Sequence, residues 1–276
     1  MCCGPLLRVL VLDQLYAIGK IRRVLWRIWY AFITRRVRGA EVLFLNYAFQ
    51  EEPPRLLSLE PADESNRACI QLYHHVGSLA VLRDKTVLEV SCGHGGGASY
   101  LARTFGPRSY TGLDLNAAGI EFCRRRHVLD KVDFVRGDAE ALPFPEESFE
   151  VVINVEASHC YASFPRFLAE VARVLRPGGH FLYADFRFAE NRAAWEQAIG
   201  ASTLQLKAQR EIGAEVLRGM KQNSAHSQLL ITRHLPKFLH GLATDFAGIE
   251  GSRVFRALQS GELTYRSYCF QKPLGL

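Results

Sequence analysis

Short apolar runs alternate with segments of helical spacing between residues 85 and 187, and this alternation restricts the chain to few folds. Strands joined through helices form parallel sheets by right-handed crossovers, with helices on both faces. The sequence therefore predicts an α/β domain whose ligand binds at the carboxyl ends of the strands. The apolar runs are TVLEV (86–90), SYTGLDL (109–115), VDFVRG (132–137), FEVVINV (149–155) and HFLYADF (180–186), with helical patterns at 98–105, 117–129 and 164–175.

Three further segments surround this core. Residues 1–40 predict a basic amphipathic helical extension, and residues 41–84, with three prolines, predict a linker and helical cap. The main domain extends over residues 85–276, with a polar, helical insertion at about 190–240 and a last strand at 263–270. An insertion in that place is positioned to cover a pocket.

The composition is that of a folded, soluble protein. Of 276 residues, 48% are apolar and 22% charged, which is ordinary for one α/β domain with extensions. The seven cysteines show no CxxC spacing, and we find no credible signal peptide. Together these observations predict reduced thiols without disulfides and a cytoplasmic location.

The net charge of +6 comes from the first 38 residues, which contain eight basic residues and one acidic residue. Val11, Ile18, Leu25 and Phe32 recur every seven residues and form one apolar stripe. Charges interrupt every apolar run, so no run reaches the roughly 20 consecutive apolar residues that a helix needs to span a bilayer. Two interpretations stay open: the helix lies on an anionic membrane surface, or it packs on the main domain. The remainder is nearly neutral in net charge, which disfavours nucleic acid as a partner.

The stretch LEVSCGHGGGASYLART (88–104) places four glycines directly after the first strand. A metal site is disfavoured because Cys92 and His94 have no matching pair at zinc spacing. A phosphate loop requires a lysine that this turn lacks. The glycines do match the G-x-G-x-x-[GA] dinucleotide pattern, but Glu89 in the preceding strand would repel a pyrophosphate and would attract a cation.

Two later motifs, GDAEALPF (137–144) and LRPGG (175–179), complete a pattern that resembles the class I S-adenosylmethionine (SAM)-dependent methyltransferases. The resemblance implies a Rossmann-like, seven-stranded sheet with SAM as cofactor and no metal. It implies that Glu89 reaches the amino-acid end of SAM, Asp114 the ribose hydroxyls, and Asp138 with the Ala139 backbone the adenine. Gly93 and Gly95 would give the cofactor room, and Ser91 stands where the family usually has its first glycine. The remaining cofactor contacts implied are Leu115, Asn116 and Asn154.

Longer stretches, among them NVEASHCY, YADFR and GELTYRSYCF, look like the mycobacterial phthiotriol/phenolphthiotriol dimycocerosates methyltransferases. This resemblance covers residues 42–272 and implies methylation of a hydroxyl group on a hydrophobic lipid or polyketide-like acceptor. C-methylation of a sterol or quinone-like acceptor and an NAD-dependent reductase remain as alternatives. The oligomeric state is not determined by these patterns.

A hydroxyl acceptor must lose its proton, and His159 in NVEASHCY follows the fourth strand in the place where a base is needed. Glu156 is expected to orient this histidine or to bind the acceptor, and Asp185 is an alternative base. His94 is interpreted as a residue that shapes the glycine turn. The candidate pocket walls are Tyr47, Tyr73 and His74.

Overall fold

The computed structural model describes residues 32, 34–36 and 42–275, so most of the predicted amino-terminal helix lies outside the described residues. Seven strands are present: β1 (Thr86–Val90), β2 (Ser109–Asp114), β3 (Val132–Arg136), β4 (Phe149–Val155), β5 (Leu175–Phe188), β6 (Gln205–Glu211) and β7 (Leu263–Gln271). The helices are α1 (Arg67–Gly77), α2 (Gly96–Phe105), α3 (Ala117–Arg126), α4 (Phe164–Val174), α5 (Ala189–Gly200), α6 (Gly213–His234), α7 (His240–Phe246) and α8 (Arg253–Ser260). Short 3₁₀ turns lie at Pro61–Asn66, Ser158–Cys160 and Lys237–Leu239.

The strands form one sheet in the order β3-β2-β1-β4-β5-β7-β6. The pairs among β1 to β5 are parallel, and β7 is antiparallel to both of its neighbours, β5 and β6. The predicted α/β class and the seven-stranded sheet are thereby confirmed. The order of the strands reverses between β1 and β4, which opens a crevice at their carboxyl ends.

The prediction that residues at about 190–240 are helical is wrong for Gln205–Glu211, which form the edge strand β6. Every residue of QLKAQRE is exposed, because β6 lies at the edge of the sheet, beyond the helices that cover its two faces. Without a buried face the strand shows no alternation of apolar and polar residues, and that alternation is the pattern by which a strand is predicted.

The sheet buries a separate apolar cluster on each face, because neighbouring residues of a strand point in opposite directions. Val87 of β1 belongs to the cluster with α1, α2, α3, α6 and α8, and Leu88 belongs to the cluster with α4 and α5. The sheet and the two groups of helices form three layers, and the carboxyl edge of the sheet lies between the helix layers. No helix in the described part of the chain is long and apolar enough to cross a membrane.

Residues 42–50, here called the strap, cross that carboxyl edge without regular secondary structure and bend at Asn46. Backbone hydrogen bonds hold the strap at three places: Gly96 donates to Leu43, Phe49 donates to the carbonyl of Ala68, and Gln50 donates to the carbonyl of Glu215. The strap is thus joined to the start of α2, to α1 and to the start of α6.

Gly219 of α6 has no side chain, and this lets the strap lie close to the helix. A Cβ atom at this position would come within 2.4 Å of the Phe49 backbone nitrogen and 2.5 Å of the Ala48 carbonyl carbon. Both neighbours are backbone atoms, so they cannot rotate away as a side-chain tip could.

We expect Gly219→Ala to destabilise the protein by about 1 to 3 kcal/mol, because the added methyl group must displace the strap. The measurement is the free energy of unfolding from urea titration. The matched control is Gly241→Ala in α7, where nothing lies within 4 Å of the added carbon. The control should leave the free energy of unfolding unchanged or raise it by up to about 1 kcal/mol. Equal effects of the two substitutions would contradict the close contact between Gly219 and the strap.

Candidate active site

One large pocket lies under the strap, at the carboxyl ends of β1, β2 and β4. The space between its walls is about 1070 Å³, which includes space open to solvent. The pocket is lined by four carboxyl side chains and by no lysine or arginine of the described residues. Its charge therefore suits a cationic ligand and disfavours a phosphate. The four acids are Asp114, Asp138, Glu140 and Glu156.

Asp114 ends β2 and faces the pocket. Its Oδ2 accepts a hydrogen bond from the Gly93 backbone N–H at 3.0 Å, and its Oδ1 accepts one from the Asn116 N–H at 2.8 Å. Burial raises the pKa of Asp114 to about 6, although these backbone donors favour the charged form. Each carboxylate oxygen keeps a second lone pair, so the residue can still accept hydrogen bonds from a ligand.

Ser91 adopts a left-handed backbone conformation, with φ of 63°, at the position where the methyltransferases that the motif resembles usually have a glycine. A non-glycine residue costs about 1 to 2 kcal/mol there. The hydroxyl of Ser91 pairs with the hydroxyl of Tyr161 at 2.6 Å, and Asn154 Nδ2 donates to the same Tyr161 oxygen at 2.9 Å. The serine therefore anchors Tyr161, which lines the pocket, and Asn154 lies behind that tyrosine.

Glu89 is fully buried behind the pocket wall. Tyr73 donates to its Oε1 at 3.0 Å and Tyr110 to its Oε2 at 2.8 Å. Burial raises the pKa of Glu89 to about 7, although both tyrosine hydroxyls favour its ionised form. Tyr73 stands between this carboxyl group and the pocket, which it lines as predicted. The contact of Glu89 with the amino-acid end of a cofactor stays a prediction.

His94 joins the glycine turn to two other segments. Its Nδ1 is 2.7 Å from the Val42 carbonyl, so Nδ1 carries the proton and Nε2 accepts from the Thr34 hydroxyl at 2.8 Å. Burial lowers the pKa of His94, which keeps the ring neutral. Asn116 Nδ2 in turn donates to Thr34 at 2.9 Å. The buried Thr34 thus packs the end of the amino-terminal segment on the rim of the pocket.

Glu156 follows β4 and faces the pocket from the other side. The Tyr47 backbone N–H donates to its Oε2 at 2.7 Å, and the Tyr265 hydroxyl donates to its Oε1. Burial raises the pKa of Glu156 to about 8, against the effect of these two donors. Its φ of 48° is strained for a residue with a side chain, and such strain concentrates at functional sites.

His159 lies on the 3₁₀ turn after β4, between the pocket-lining residues Ala157 and Cys160. Its Nδ1 is 2.8 Å from Oδ1 of Asp185, its backbone N–H donates to Oδ2 at 3.0 Å, and its ring stacks on Phe186 at 4.3 Å. Burial alone would lower the pKa of His159, but Cys160 and Asp185 outweigh burial and raise it to about 10.

Asp185 has no exposed surface and orients His159, a role for which Glu156 was one candidate. Burial would raise the pKa of Asp185, but the Arg187 guanidinium at 3.2 Å and His159 hold it well below its usual range. The Ser158 hydroxyl also donates to Oδ2 at 2.6 Å. A carboxylate held by this many donors stays ionised, so it positions the histidine and is poorly suited to be a base itself.

The pocket unites most of the predicted site residues. Four predicted residues do not line the pocket and lie behind its wall: Glu89, Gly95, Asn154 and His159. A Cβ atom on Gly95 would come within 2.8 Å of His127, so this glycine allows close internal packing. His74 bonds to Tyr100 and does not line the pocket. In the described residues no cluster of three or more His, Cys, Asp or Glu side chains could hold a metal. The predicted residues that line the pocket are Ser91, Gly93, Asp114, Leu115, Asn116, Asp138, Ala139 and Glu156.

Sequence patterns did not point to the strap residues Leu43, Phe44, Leu45 and Asn46, which also line the pocket. They lie far from the motifs along the chain and show no regular spacing. Glu140 was missed as well, although it stands inside the motif GDAEALPF that identified Asp138.

Comparison with known proteins identifies several similar chains. The model of a family described as "Methyltransferase domain" matches residues 88–183. The phthiotriol/phenolphthiotriol dimycocerosates methyltransferase of Mycobacterium tuberculosis is 58% identical over 90% of this chain and 92% of its own. The fatty-acid O-methyltransferase of Mycolicibacterium smegmatis is 47% identical over 92% of each chain. A solved putative sarcosine dimethylglycine methyltransferase from Galdieria sulphuraria has the same fold, with a TM-score of 0.69, 14% identity, and coverage of 90% of this chain and 98% of its own.

The raised pKa values of Glu156 and His159 predict that the protein loses stability as the pH rises. The folded protein holds these protons up to about pH 8 and about pH 10, whereas an unfolded chain releases them near the ordinary values of 4.5 and 6.5. The folded state therefore binds more protons between pH 7 and 9, so its free energy of unfolding falls across that range.

Glu156→Gln should flatten this decline around pH 8, as measured by urea unfolding at a series of pH values. The control is Glu121→Gln on the exposed surface of α3, which should leave the slope unchanged. A slope that is the same in the Glu156 variant would show that this carboxyl group is already ionised at neutral pH.

Proposed function

The chain belongs to the family of SAM-dependent methyltransferases that includes the phthiotriol/phenolphthiotriol dimycocerosates methyltransferases, and we propose that it transfers a methyl group to a hydroxyl group of a lipid acceptor. The observation that carries this proposal is the pocket of four carboxyl groups without lysine or arginine, beside a buried histidine and aspartate pair. The first feature fits a cationic methyl donor, and the second fits a base for a hydroxyl group.

The residues present fit SAM. When bound, SAM supplies an electrophilic methyl group on a positively charged sulfur. Asp114 would accept hydrogen bonds from the ribose hydroxyls through the lone pairs that the backbone N–H groups of Gly93 and Asn116 do not occupy. Asp138 and the Ala139 backbone would hold the adenine, and Tyr161 would line the same side. A pyrophosphate would be repelled by these acids, which makes an NAD-dependent reaction the poorer fit.

Lipid acceptors are named for both curated relatives, and apolar side chains at the strap side of the pocket support a hydrophobic acceptor here. Leu43, Phe44 and Leu45 line the pocket from the strap. The ring of Tyr47 stacks on Phe186 at 5.6 Å, next to the His159 ring. A hydrophobic acceptor that enters along the strap would bring its reactive group toward Glu156 and His159.

His159 is the proposed base. Asp185 holds Nδ1 of the ring, so in the neutral form Nε2 is the nitrogen that accepts a proton. An alcohol is about as acidic as water, with a pKa of roughly 15.7, and a base with a pKa of about 10 leaves a gap of roughly 6 units, or about 8 kcal/mol. This gap is too large for prior deprotonation, so the proton moves to His159 as the methyl group is transferred.

Glu156 is proposed to bind the acceptor hydroxyl. With a pKa of about 8 it is mostly protonated at neutral pH, and Tyr47 and Tyr265 fix both of its oxygens in place. A neutral carboxyl group can hydrogen-bond the hydroxyl without the cost of a second buried charge.

A carboxylic acid acceptor is a second candidate, because one relative is a fatty-acid O-methyltransferase. A carboxylate is already ionised near neutral pH and needs no base. It would also enter a site whose side chains include Asp185 and four pocket acids. The oriented base at His159 is useful only for a hydroxyl group, which is why we favour an alcohol.

Membrane association is proposed for the first 38 residues, whose eight basic residues suit an anionic surface. The packing of Thr34 on His94 supports the other interpretation for the end of this segment. The two roles are compatible if the segment is anchored at Thr34 and its preceding turns face a bilayer. The expected division into an extension, a helical cap and the methyltransferase domain is retained in this proposal.

Asp114→Ala should weaken SAM binding about 10- to 100-fold, because a hydrogen bond to a charged group contributes about 1.5 to 3 kcal/mol. Isothermal titration calorimetry measures this affinity, with the exposed Asp130→Ala as control. A parallel titration with NADH should give no binding. Binding of NADH without SAM would overturn the methyltransferase assignment.

His159→Gln should keep the SAM affinity and lose roughly 100- to 10,000-fold in kcat. At pH 7 only about one molecule in a thousand carries the neutral ring, given a pKa of about 10. The kcat/KM of the unmodified enzyme should therefore rise about tenfold per pH unit below pH 8 and level off above it, where Glu156 loses the proton with which it binds the acceptor. Mass spectrometry should identify a methyl ether from an alcohol acceptor, and a flat pH profile would contradict the role of His159.

A further inference from the structure

The turn between α6 and α7 exposes large apolar side chains to water. Residues 233–242, RHLPKFLHGL, are here called the tip. Phe238 is 84% exposed and Leu242 is 57% exposed. The two are four residues apart in a helical stretch in which the 3₁₀ turn Lys237–Leu239 leads directly into α7, so they lie on one side of it. Scattered apolar residues on a surface are ordinary, but two large ones on one side form a patch.

The surroundings of this patch are basic. Residues 213–246, which form α6, the 3₁₀ turn and α7, contain two arginines, two lysines and three histidines against the two acids Glu215 and Asp245. Lys221 forms an ion pair with Glu250, whereas Lys237 lies next to Phe238 in the chain and is exposed. A patch of apolar side chains with an exposed lysine beside it, in a region of net positive charge, is complementary to a surface that is apolar inside and anionic outside.

The tip does not depend on these two side chains for its own folding. Ile231, Ala243 and Ile249 form a small apolar cluster of their own between α6, α7 and the following loop, and Leu235 packs against it. This cluster holds the helices together beneath the tip. Phe238 and Leu242 project away from it into water and are available to another molecule.

The same helix connects the tip to the active site. Near its start, α6 packs Gly219 against the strap, which donates a hydrogen bond to Glu156 through Tyr47. From residue 219 to residue 233, a helix spans about 21 Å. A surface bound by the tip would therefore lie within about the length of one lipid leaflet of the strap.

We propose that the tip docks on a bilayer surface that contains anionic lipids, with Phe238 and Leu242 inserted among the headgroups. This inference rests on the proposed function for the reason that a lipid acceptor resides in such a surface. A protein partner fits less well, because a stable interface buries at least about 1000 Å², far more than two side chains supply.

The test measures binding of the full chain to vesicles of phosphatidylcholine, with and without phosphatidylglycerol, by co-sedimentation. Phe238→Ser combined with Leu242→Ser should reduce binding at least tenfold, because two large apolar groups no longer leave water. The matched controls are Leu56→Ser and Val128→Ser, which alter side chains that are 91% and 85% exposed elsewhere. Both controls should bind as the unmodified chain does.

Charge is tested separately from insertion. Lys237→Glu should weaken binding to the anionic vesicles alone, and more strongly at low salt than at high salt. Residues 1–38 are present in every variant, so any contribution from them is common to all. Loss of binding in the double variant is thereby assigned to the tip.

Three results would overturn the proposal: no binding by the unmodified chain, equal binding by the double variant, or a change in oligomeric state by light scattering in place of a change in vesicle binding. The last would identify a second copy of the chain as the partner. Methyl transfer to a detergent-dispersed acceptor should be equal in all variants. Failure of that reaction in the unmodified chain would count against the proposed function and leave the docking result to stand by itself.

Discussion

The convergence of four carboxyl groups in one pocket is the electrostatic constraint on which the site depends. The carboxyl ends of parallel strands meet at one edge, so these acids are forced together, and no lysine or arginine of the described residues lies among them. Backbone N–H groups offset much of the free energy that burial of these carboxyl groups costs. Gly93 and Asn116 donate to Asp114, Tyr47 donates to Glu156, and Ala162 donates to Glu140. The loops and the strap are thereby held in place by the same carboxyl groups that line the pocket.

Local patterns were sufficient to predict the sheet and the cofactor class. The strands β1 to β4 have 5 to 7 residues each, β5 contains the apolar run at 180–186 within its 14 residues, and the acidic positions follow these runs at the spacing of the family motifs. Family membership confirms the methyltransferase prediction, since relatives cover nine-tenths of the chain. The edge strand β6 escaped prediction because a strand with no buried face has no pattern to detect.

Contacts between distant residues could not be predicted in this way. The bond from Tyr47 to Glu156 joins residues 109 positions apart, and no spacing in the chain indicates it. The pairing of His159 with Asp185 is similar: both residues were singled out, but only the sheet register shows which carboxyl group holds the histidine. The roles of individual site residues remain predictions that the binding and rate measurements address.

The neutral His94 is the common partner of three segments: the glycine turn that carries it, Val42 of the strap, and Thr34 near the amino terminus. A ligand or surface that pulls Thr34 and the amino-terminal segment away from His94 must therefore also disturb the rim of the pocket. Thermodynamic linkage makes such an effect reciprocal. A ligand bound in the pocket would therefore strengthen the binding of that segment to the rim by the same factor. One uncharged imidazole ring thus connects the amino-terminal segment to the rim of the pocket.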